Sequence, residues 1–260
     1  MKELFTLVLY QPIFNALVFI YNIVPGNDIG VAIIILTIVI KLVLYPLTVK
    51  SIKSQRDLQK IQPKIQEIQK KYKNQRDVMS QELMKLYKAE KVNPFSSCLP
   101  LLIQLPFFIA VFSVFRSGLG GSESLSALYP FVSNPGELSH VTLGFIDLSK
   151  DHNVYLALLA GLAQFWQGKM LVQKKPPVKV PGSKDENMAA SVNAQMTYIM
   201  PLVTIYISWI LPAGLVLYIL VTTLLTVAQQ YYIFRKTNSN GQKNGDIAKG
   251  KGVIEGEKAN

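Results

Sequence analysis

One positively charged residue, Lys41, lies inside an apolar stretch of the sequence, over residues 29–49, that carries no other charge. A lysine near the centre of a bilayer costs about 2.5–3.5 kcal/mol on insertion scales. The other long apolar stretches contain no Asp or Glu that could pair with it. Lys41 therefore either extends toward the membrane interface or faces a water-filled cavity between helices. The second interpretation is favoured, because eight uncharged residues separate Lys41 from the next lysine, Lys50.

Other polar side chains in the apolar stretches could line the same cavity. Thr37 lies one helical turn before Lys41 and shares its helix face. The remaining candidates are Gln104, Gln164, Gln167, Thr204, Ser208, Thr222, Thr223 and Thr226. Each could instead form an interhelical hydrogen bond, which contributes about 0.6 kcal/mol on average. Together with Lys41 they could attract an acidic, hydrophilic segment partway into the membrane. Burial of a passenger's apolar helix could drive that step without nucleotide hydrolysis.

The sequence indicates no catalytic residue, no cofactor and no metal site. A single cysteine, Cys98, excludes a disulfide framework and a cysteine-based zinc site. Two histidines, His140 and His152, lie on polar segments and offer Cys98 no base at membrane depth. We therefore interpret Cys98 as a small packing residue and predict that the protein is not an enzyme.

The apolar stretches predict an all-α membrane protein with five transmembrane helices. Half of the residues are hydrophobic, and they fall in long uncharged blocks of the length a bilayer requires. The predicted spans are residues 29–49, 95–116, 154–172, 196–211 and 214–234. The last two come from one uncharged run of 39 residues. A single helix of that length would measure about 58 Å, so we expect Pro212 and Gly214 to break it.

The segments between these spans have distinct characters. Residues 50–92 carry apolar side chains at helical spacing, including Leu58, Ile61 and Ile65, and predict a hairpin of two amphipathic helices in water. Residues 117–153 and 173–195 form loops, and the polar tail 235–260 is predicted to be disordered. Residues 1–28 end in a turn, and the apolar part, 4–23, could either span the membrane or lie along its surface.

The distribution of basic residues predicts the orientation. Of 27 Lys and Arg residues, 12 lie in residues 50–91, five in 169–184 and six in the tail. These segments share one side if five helices alternate, and the positive-inside rule makes that side cytoplasmic. The formal net charge of +11 would attract anionic lipid headgroups and ribosomal RNA to it.

Several motifs resemble the YidC/Oxa/Alb family of membrane insertases. The most specific are residues 87–94, YKAEKVNP, and residues 98–106, CLPLLIQLP. Shorter matches lie at residues 45–48, 62–64 and 212–218. The resemblance extends from about Gln11 to Phe234, and coincidental agreement at all of these motifs is very improbable.

The resemblance implies a five-helix core around a polar groove, closed outward and open to the cytoplasm and to lipid. Lys41 falls where bacterial relatives typically have arginine, and Thr37, Gln104 and Gln167 match groove positions. It also implies that residues 4–23 form an amphipathic helix on the outer membrane surface. Because a lysine in an apolar setting can lose its proton, a charged Lys41 requires a wet groove.

The implied protein is a short bacterial form in the cytoplasmic membrane, with its N-terminus outside and its C-terminus in the cytoplasm. Its implied partners are nascent membrane proteins, the ribosome, the Sec translocon, the signal recognition particle pathway and membrane lipids. The competing interpretation is a secondary transporter or channel for an anionic solute, because an intramembrane cation can bind a substrate anion. Against it, the sequence has no internal repeat and no intramembrane carboxylate for coupling.

Overall fold

The structure is a computed structural model that describes residues 2–94, 99–116, 128–136, 138–142, 144, 146–150, 152–171 and 195–257. Within these ranges the chain is almost entirely helical, with one two-stranded antiparallel sheet. Cys98, residues 117–127 of the predicted first loop and nearly all of the predicted 173–195 loop lie outside the described residues.

The N-terminal region is one helical course in three pieces. Helix α1, Lys2–Phe5, passes through a π-helical turn, Thr6–Tyr10, into helix α2, Gln11–Ile23. Gly26 and Asn27 have positive φ angles of 79° and 51° and make the turn that follows. Asp28 then caps helix α3, Ile29–Val43, because its carboxylate accepts the backbone N–H groups of Gly30 and Val31.

The predicted span at 29–49 is divided in the structure. Helix α3 ends at Val43, and helix α4, Tyr45–Lys71, leaves it at a bend of 69°. Pro46 explains the break, since it has no N–H and its ring disfavours a continuous helix through the preceding turn. As a result Lys41 lies in the last turn of α3 and not in the middle of a straight helix.

Helix α4 continues into helix α5, Arg76–Ala89, through a turn at residues 72–75. Ile61 and Ile65 of α4 are buried, and an ion pair between Lys64 and Glu90 at 2.5 Å joins the two arms. This exposed pair contributes little energy on its own. The contact between the helices therefore depends mainly on the apolar stripe of α4.

The remaining helices are α6, Leu99–Arg116, α7, Val154–Leu171, α8, Met200–Ile210, and α9, Ala213–Glu257. A π-helical turn, Gln195–Ile199, leads into α8. The backbone is extended at Leu211, and Pro212 separates α8 from α9, at the break that the sequence predicted. Helix α9 contacts α3, α4, α6 and α7, and is the element around which the others are arranged.

The helical course of α9 differs from the predicted disordered tail. The backbone remains helical from Arg235 through Glu257, although this sequence is polar and contains five glycines. Extending an existing helix fixes one residue for each new hydrogen bond, whereas starting a helix fixes several for the first. The apolar first half of α9 is already helical, so the polar sequence extends this helix and does not have to nucleate one of its own.

Residues 128–150, as far as they are described, form a small lobe over the ends of α2, α3 and α9. Strands β1, Val141–Thr142, and β2, Ile146–Asp147, lie in it. Thr142 donates a hydrogen bond to Asp28 and packs against Gly30, where any larger residue would collide with it. The backbone carbonyls of Leu148 and Lys150 accept hydrogen bonds from the N–H groups of Gly214 and Ala213. The lobe therefore provides acceptors for the first backbone N–H groups of α9.

Two described helical stretches are long and apolar enough to cross a membrane, Glu3–Ile23 and Ala213–Arg235. The bent pair of α3 and α4 makes a third if it counts as one span. Shorter apolar helices cover Leu102–Phe115 and Thr197–Ile210. The five-span core remains a prediction.

Helices α7 and α8 approach closely because the α7 surface is small. Ala157, Ala160 and Gly161 are buried on α7, and a side chain at position 161 would meet Ile205 and the carbonyl of Pro201 on α8. We predict that Gly161→Val lowers the free energy of unfolding by about 1–3 kcal/mol through overpacking. The measurement is denaturant unfolding of the purified protein in detergent. Adding Ile205→Ala should recover part of the loss, and purely additive effects would contradict direct contact at this site.

Candidate functional site

A stripe of polar residues runs along the apolar half of α9. Tyr218, Thr222 and Thr226 are spaced four residues apart, so they share one face of the helix. The phenol of Tyr218 accepts a hydrogen bond from the Gln104 amide on α6. The hydroxyl of Thr226 accepts one from Lys41 on α3. This polar stripe therefore connects three helices through side chains that lipid could not satisfy.

Lys41 is the centre of the site. Its side chain is only 7% exposed, and its Nζ atom donates to Thr226 Oγ1 at 2.8 Å. Thr226 Oγ1 in turn donates to the backbone carbonyl of Thr222 at 2.7 Å. In the part of the chain that the structure describes, no carboxylate pairs with Lys41. Its charge also lies close to the carbonyl end of α3, where the helix dipole favours a cation.

A pocket of about 270 Å³ lies beside Lys41, between α3 and α9. Ile38, Lys41 and Leu42 of α3 and Tyr45 of α4 line one wall. The other wall belongs to α9 and consists of Leu225, Ala228, Gln229 and Tyr232. The buried side chain of Lys41 therefore borders a cavity.

Three other predicted site residues have hydrogen-bond partners in the structure, and in the bonds described none of these partners is Lys41. Thr37 is buried one turn before Lys41, and its hydroxyl donates to the Ile33 carbonyl at 2.6 Å. Thr223 donates to the Ile219 carbonyl at 2.8 Å in the same way. Both hydroxyls are therefore satisfied within their own helices and could offer only their oxygen lone pairs to a ligand. Gln104 is engaged with Tyr218 at a second point of the polar stripe.

The other predicted residues lie on α7 and α8. Gln164 and Gln167 are half-buried on α7, which contacts α9 and α4. Thr204 is half-buried and Ser208 fully buried on α8, whose principal contacts are with α7. No hydrogen bond described in the structure links these four residues to Lys41, so their part in a common groove remains a prediction.

The structure contains a second group of buried polar residues that the sequence analysis did not predict. Thr48, Ser51 and Gln55 are buried on α4, and Gln230 on α9 is only 1% exposed. Arg56 fastens this region, because its guanidinium donates to the Phe234 carbonyl at 2.6 Å and lies 4.9 Å from the centre of the Phe234 ring. The spacing of 48, 51 and 55 is helical, but the many charges of residues 50–60 obscured it.

The described residues include no cluster of His, Cys, Asp and Glu that could hold a metal ion. In the 128–150 lobe, hydrogen bonds from the Ser149 hydroxyl and backbone N–H lower the pKa of Asp147, with help from Lys150. This half-buried carboxylate lies at the end of β2 and has a local structural role.

The Gln104–Tyr218 contact provides a test of the polar stripe. Tyr218→Phe should destabilise the protein by about 1–3 kcal/mol, because it leaves the half-buried Gln104 amide donor without its acceptor. Replacing both partners, with Tyr218→Phe and Gln104→Leu, should recover most of that loss. The measurement is thermal unfolding in detergent, with Tyr206→Phe on exposed Tyr206 as the matched control. Equal effects at 206 and 218 would contradict the proposed contact.

Comparisons with known proteins show the family to which this chain is related. The family model described as the 60Kd inner membrane protein matches residues 19–240. A membrane protein insertase YidC of Citrifermentans bemidjiense is 38% identical over 224 residues, which cover 86% of this chain and 36% of the relative. A membrane protein insertase YidC of Fusobacterium nucleatum is 36% identical over 213 residues, covering 81% of this chain and 88% of the relative.

A solved structure has a similar fold. It is described as an active YidC insertase with its first transmembrane domain resolved, and it superposes with a TM-score of 0.57 at 29% sequence identity. The match covers 86% of this chain and 46% of the solved one. The chain likewise spans little more than a third of the length of several YidC relatives that it matches, 36% for that of C. bemidjiense. Because the family model matches most of its residues, this chain belongs to the 60Kd inner membrane protein family, that of the YidC/Oxa/Alb insertases.

Proposed function

We propose that this protein is a membrane insertase, which receives hydrophobic nascent chains in a positively charged groove and releases them laterally into the bilayer. The relatives named membrane protein insertase YidC support this activity. The observation that carries the proposal is the buried Lys41, held by a neutral hydroxyl and placed beside a pocket of about 270 Å³. A buried cation without a carboxylate partner among the described residues has charge available for an acidic ligand.

The groove works by shortening the apolar path that a hydrophilic segment must cross. Lys41 attracts the acidic residues of the passenger from the cytoplasmic side. Other polar candidates, including Thr37, Gln104 and Gln167, replace part of the water that the passenger loses. The passenger's apolar helix then moves sideways into lipid, and its burial supplies the free energy. No nucleotide is consumed in this scheme.

The bend between α3 and α4 brings the groove closer to the basic face. Helix α3 has 15 residues and is about 22 Å long, shorter than the hydrocarbon core of a bilayer. Lys41 lies two residues from its end, and the basic helix α4 begins immediately afterwards. A passenger arriving along α4 therefore meets Lys41 after a short step into the membrane.

We propose that α2 lies along the outer membrane surface. Three of its side chains bond to the 128–150 lobe: Asn15 accepts from the Tyr129 N–H, Tyr21 from the Ser139 N–H, and Asn22 donates to the Ser133 carbonyl. These contacts are spread along about 10 Å of helix. A non-helical polar loop cannot follow a spanning helix to that depth in contact with lipid, so the contacts favour the surface position over a membrane span.

The rest of the topology follows from the basic residues. The α4–α5 hairpin, the 173–195 loop and the tail are cytoplasmic in this proposal, and the 128–150 lobe is outside. The hairpin and tail would bind the ribosome, and the Sec translocon and the signal recognition particle pathway are further proposed partners. Anionic lipids would hold the same basic surfaces against the membrane.

The charge of Lys41 can be tested directly by insertion. Lys41→Ala should lower the insertion of single-span clients with acidic translocated tails by about tenfold, because a hydrogen bond to a charged group contributes about 1.5–3 kcal/mol. Lys41→Arg should retain insertion, since it keeps the charge. The measurement is protease protection of the client tail in proteoliposomes.

The matched control is Lys50→Ala, which removes an exposed cation nine residues away. It should leave insertion near the wild-type level. A client whose translocated tail is neutral should be insensitive to Lys41→Ala. If the alanine variant inserts acidic clients as well as the parent protein, the charge-attraction step is wrong.

The basic tail is expected to contribute to ribosome binding. Deleting residues 243–260 removes four lysines, and the affinity for ribosomes should fall at moderate salt, with a shallower salt dependence. Co-sedimentation with purified ribosomes at two salt concentrations measures both effects. Unchanged co-sedimentation would restrict ribosome contact to the hairpin and the second basic loop.

A further inference from the structure

The pocket beside Lys41 is lined by both apolar and polar residues. Its apolar walls are Ile38, Leu42 and Leu225. Tyr45, at the start of α4, and Tyr232 also line it, and Tyr232 is three residues before Arg235, where the candidate span in α9 ends. In the proposed topology these two tyrosines are therefore close to the level of the cytoplasmic headgroups.

The surface around the pocket is suited to lipid. Leu42 and Val43 are 66% and 70% exposed, and Leu224 and Tyr231 on α9 are also exposed. An exposed apolar surface of this kind on a membrane protein is covered by acyl chains. The pocket thus opens sideways into the bilayer, and its occupant in the absence of a passenger must be compatible with acyl chains.

The polar groups inside the pocket select the headgroup. Lys41 is a cation, and the Gln229 Oε1 atom is buried without a hydrogen-bond donor among the described residues. A phosphodiester satisfies Lys41 but has no hydrogen to donate to Gln229. A glycerol headgroup adds hydroxyl donors, whereas the ammonium of an ethanolamine headgroup would bring a second positive charge close to Lys41.

We propose that this pocket binds one phosphatidylglycerol-type lipid. Its phosphate accepts from Lys41, a headgroup hydroxyl donates to Gln229, and its acyl chains lie along the exposed apolar surface of α3 and α9. A volume of about 270 Å³ suits a headgroup and not a whole lipid. The lipid then serves as the counter-ion of Lys41, and an acidic passenger must displace it. Lipid binding needs no passenger, so it is testable apart from the insertase activity.

The experiment compares lipids with identical acyl chains by native mass spectrometry of the full chain in detergent. Phosphatidylglycerol should bind the parent protein about fivefold or more tightly than phosphatidylcholine, because both lipids offer a phosphate to Lys41 but choline adds a second positive charge close to it. It should also bind more tightly than phosphatidylmethanol, an anionic diester without headgroup hydroxyls. Lys41→Gln should abolish the preference over phosphatidylcholine. Gln229→Leu should abolish the preference over phosphatidylmethanol.

Two further variants separate the pocket from general effects. Leu225→Trp keeps Lys41 but fills the pocket, and should weaken phosphatidylglycerol binding as much as Lys41→Gln does. Lys50→Gln removes an exposed cation and should leave both preferences intact. Thermal unfolding of each variant verifies that it is folded.

Three results would overturn the proposal. They are equal binding of phosphatidylglycerol and phosphatidylcholine by the parent protein, equal losses in Lys41→Gln and Lys50→Gln, and retained selectivity in Leu225→Trp. Glycerol phosphate without acyl chains should compete only weakly. Competition as strong as that of the lipid would assign the site to a soluble anion. None of these results depends on insertion, which the client assay measures separately.

Discussion

The proposed function depends on keeping the ammonium group of Lys41 charged where its neighbours are mostly apolar. Lys41 achieves this with a neutral partner, the Thr226 hydroxyl, and with the carbonyl end of its own helix. A carboxylate partner would satisfy the charge more fully, but it would also cancel the field that an acidic passenger must sense. In the proposed groove, the hydroxyl stabilises the side chain and leaves its positive charge available for an acidic passenger.

The break at Pro46 makes that arrangement possible. If α3 continued straight into α4, Lys41 would lie in the middle of a long helix and its charge would be far from water. The bend of 69° ends α3 two residues after Lys41 and turns the basic helix α4 away from its axis. Arg56 and Phe234 hold α4 against α9 on the far side of the bend. The position of the charge and the position of the hairpin are thus set by one interruption of the backbone.

The sequence was informative where a single residue type decides the outcome. A lysine among 20 uncharged neighbours, the proline and glycine at 212 and 214, and the family motifs all indicate features that the fold contains or that the comparisons support. It was less informative where the outcome depends on which helices meet. The role of Tyr218 required knowing that α6 crosses α9, and the buried Thr48, Ser51 and Gln55 were obscured by neighbouring charges. The bend after Val43 was underestimated because apolar residues continue to position 49.

The two ends of the molecule differ in a way that gives the proposed insertion a direction. At one end the 128–150 lobe bonds to α2, α3 and α9, and it buries Leu138 and Leu148, so the helix ends there are satisfied by protein. At the other end the pocket beside Lys41 opens between α3 and α9, and the buried Gln229 oxygen has no donor among the described residues. At the Lys41 end an acidic ligand would therefore meet a buried cation beside a pocket. In the proposed mechanism this cation draws a passenger segment in from the basic side, and the passenger then moves sideways into lipid.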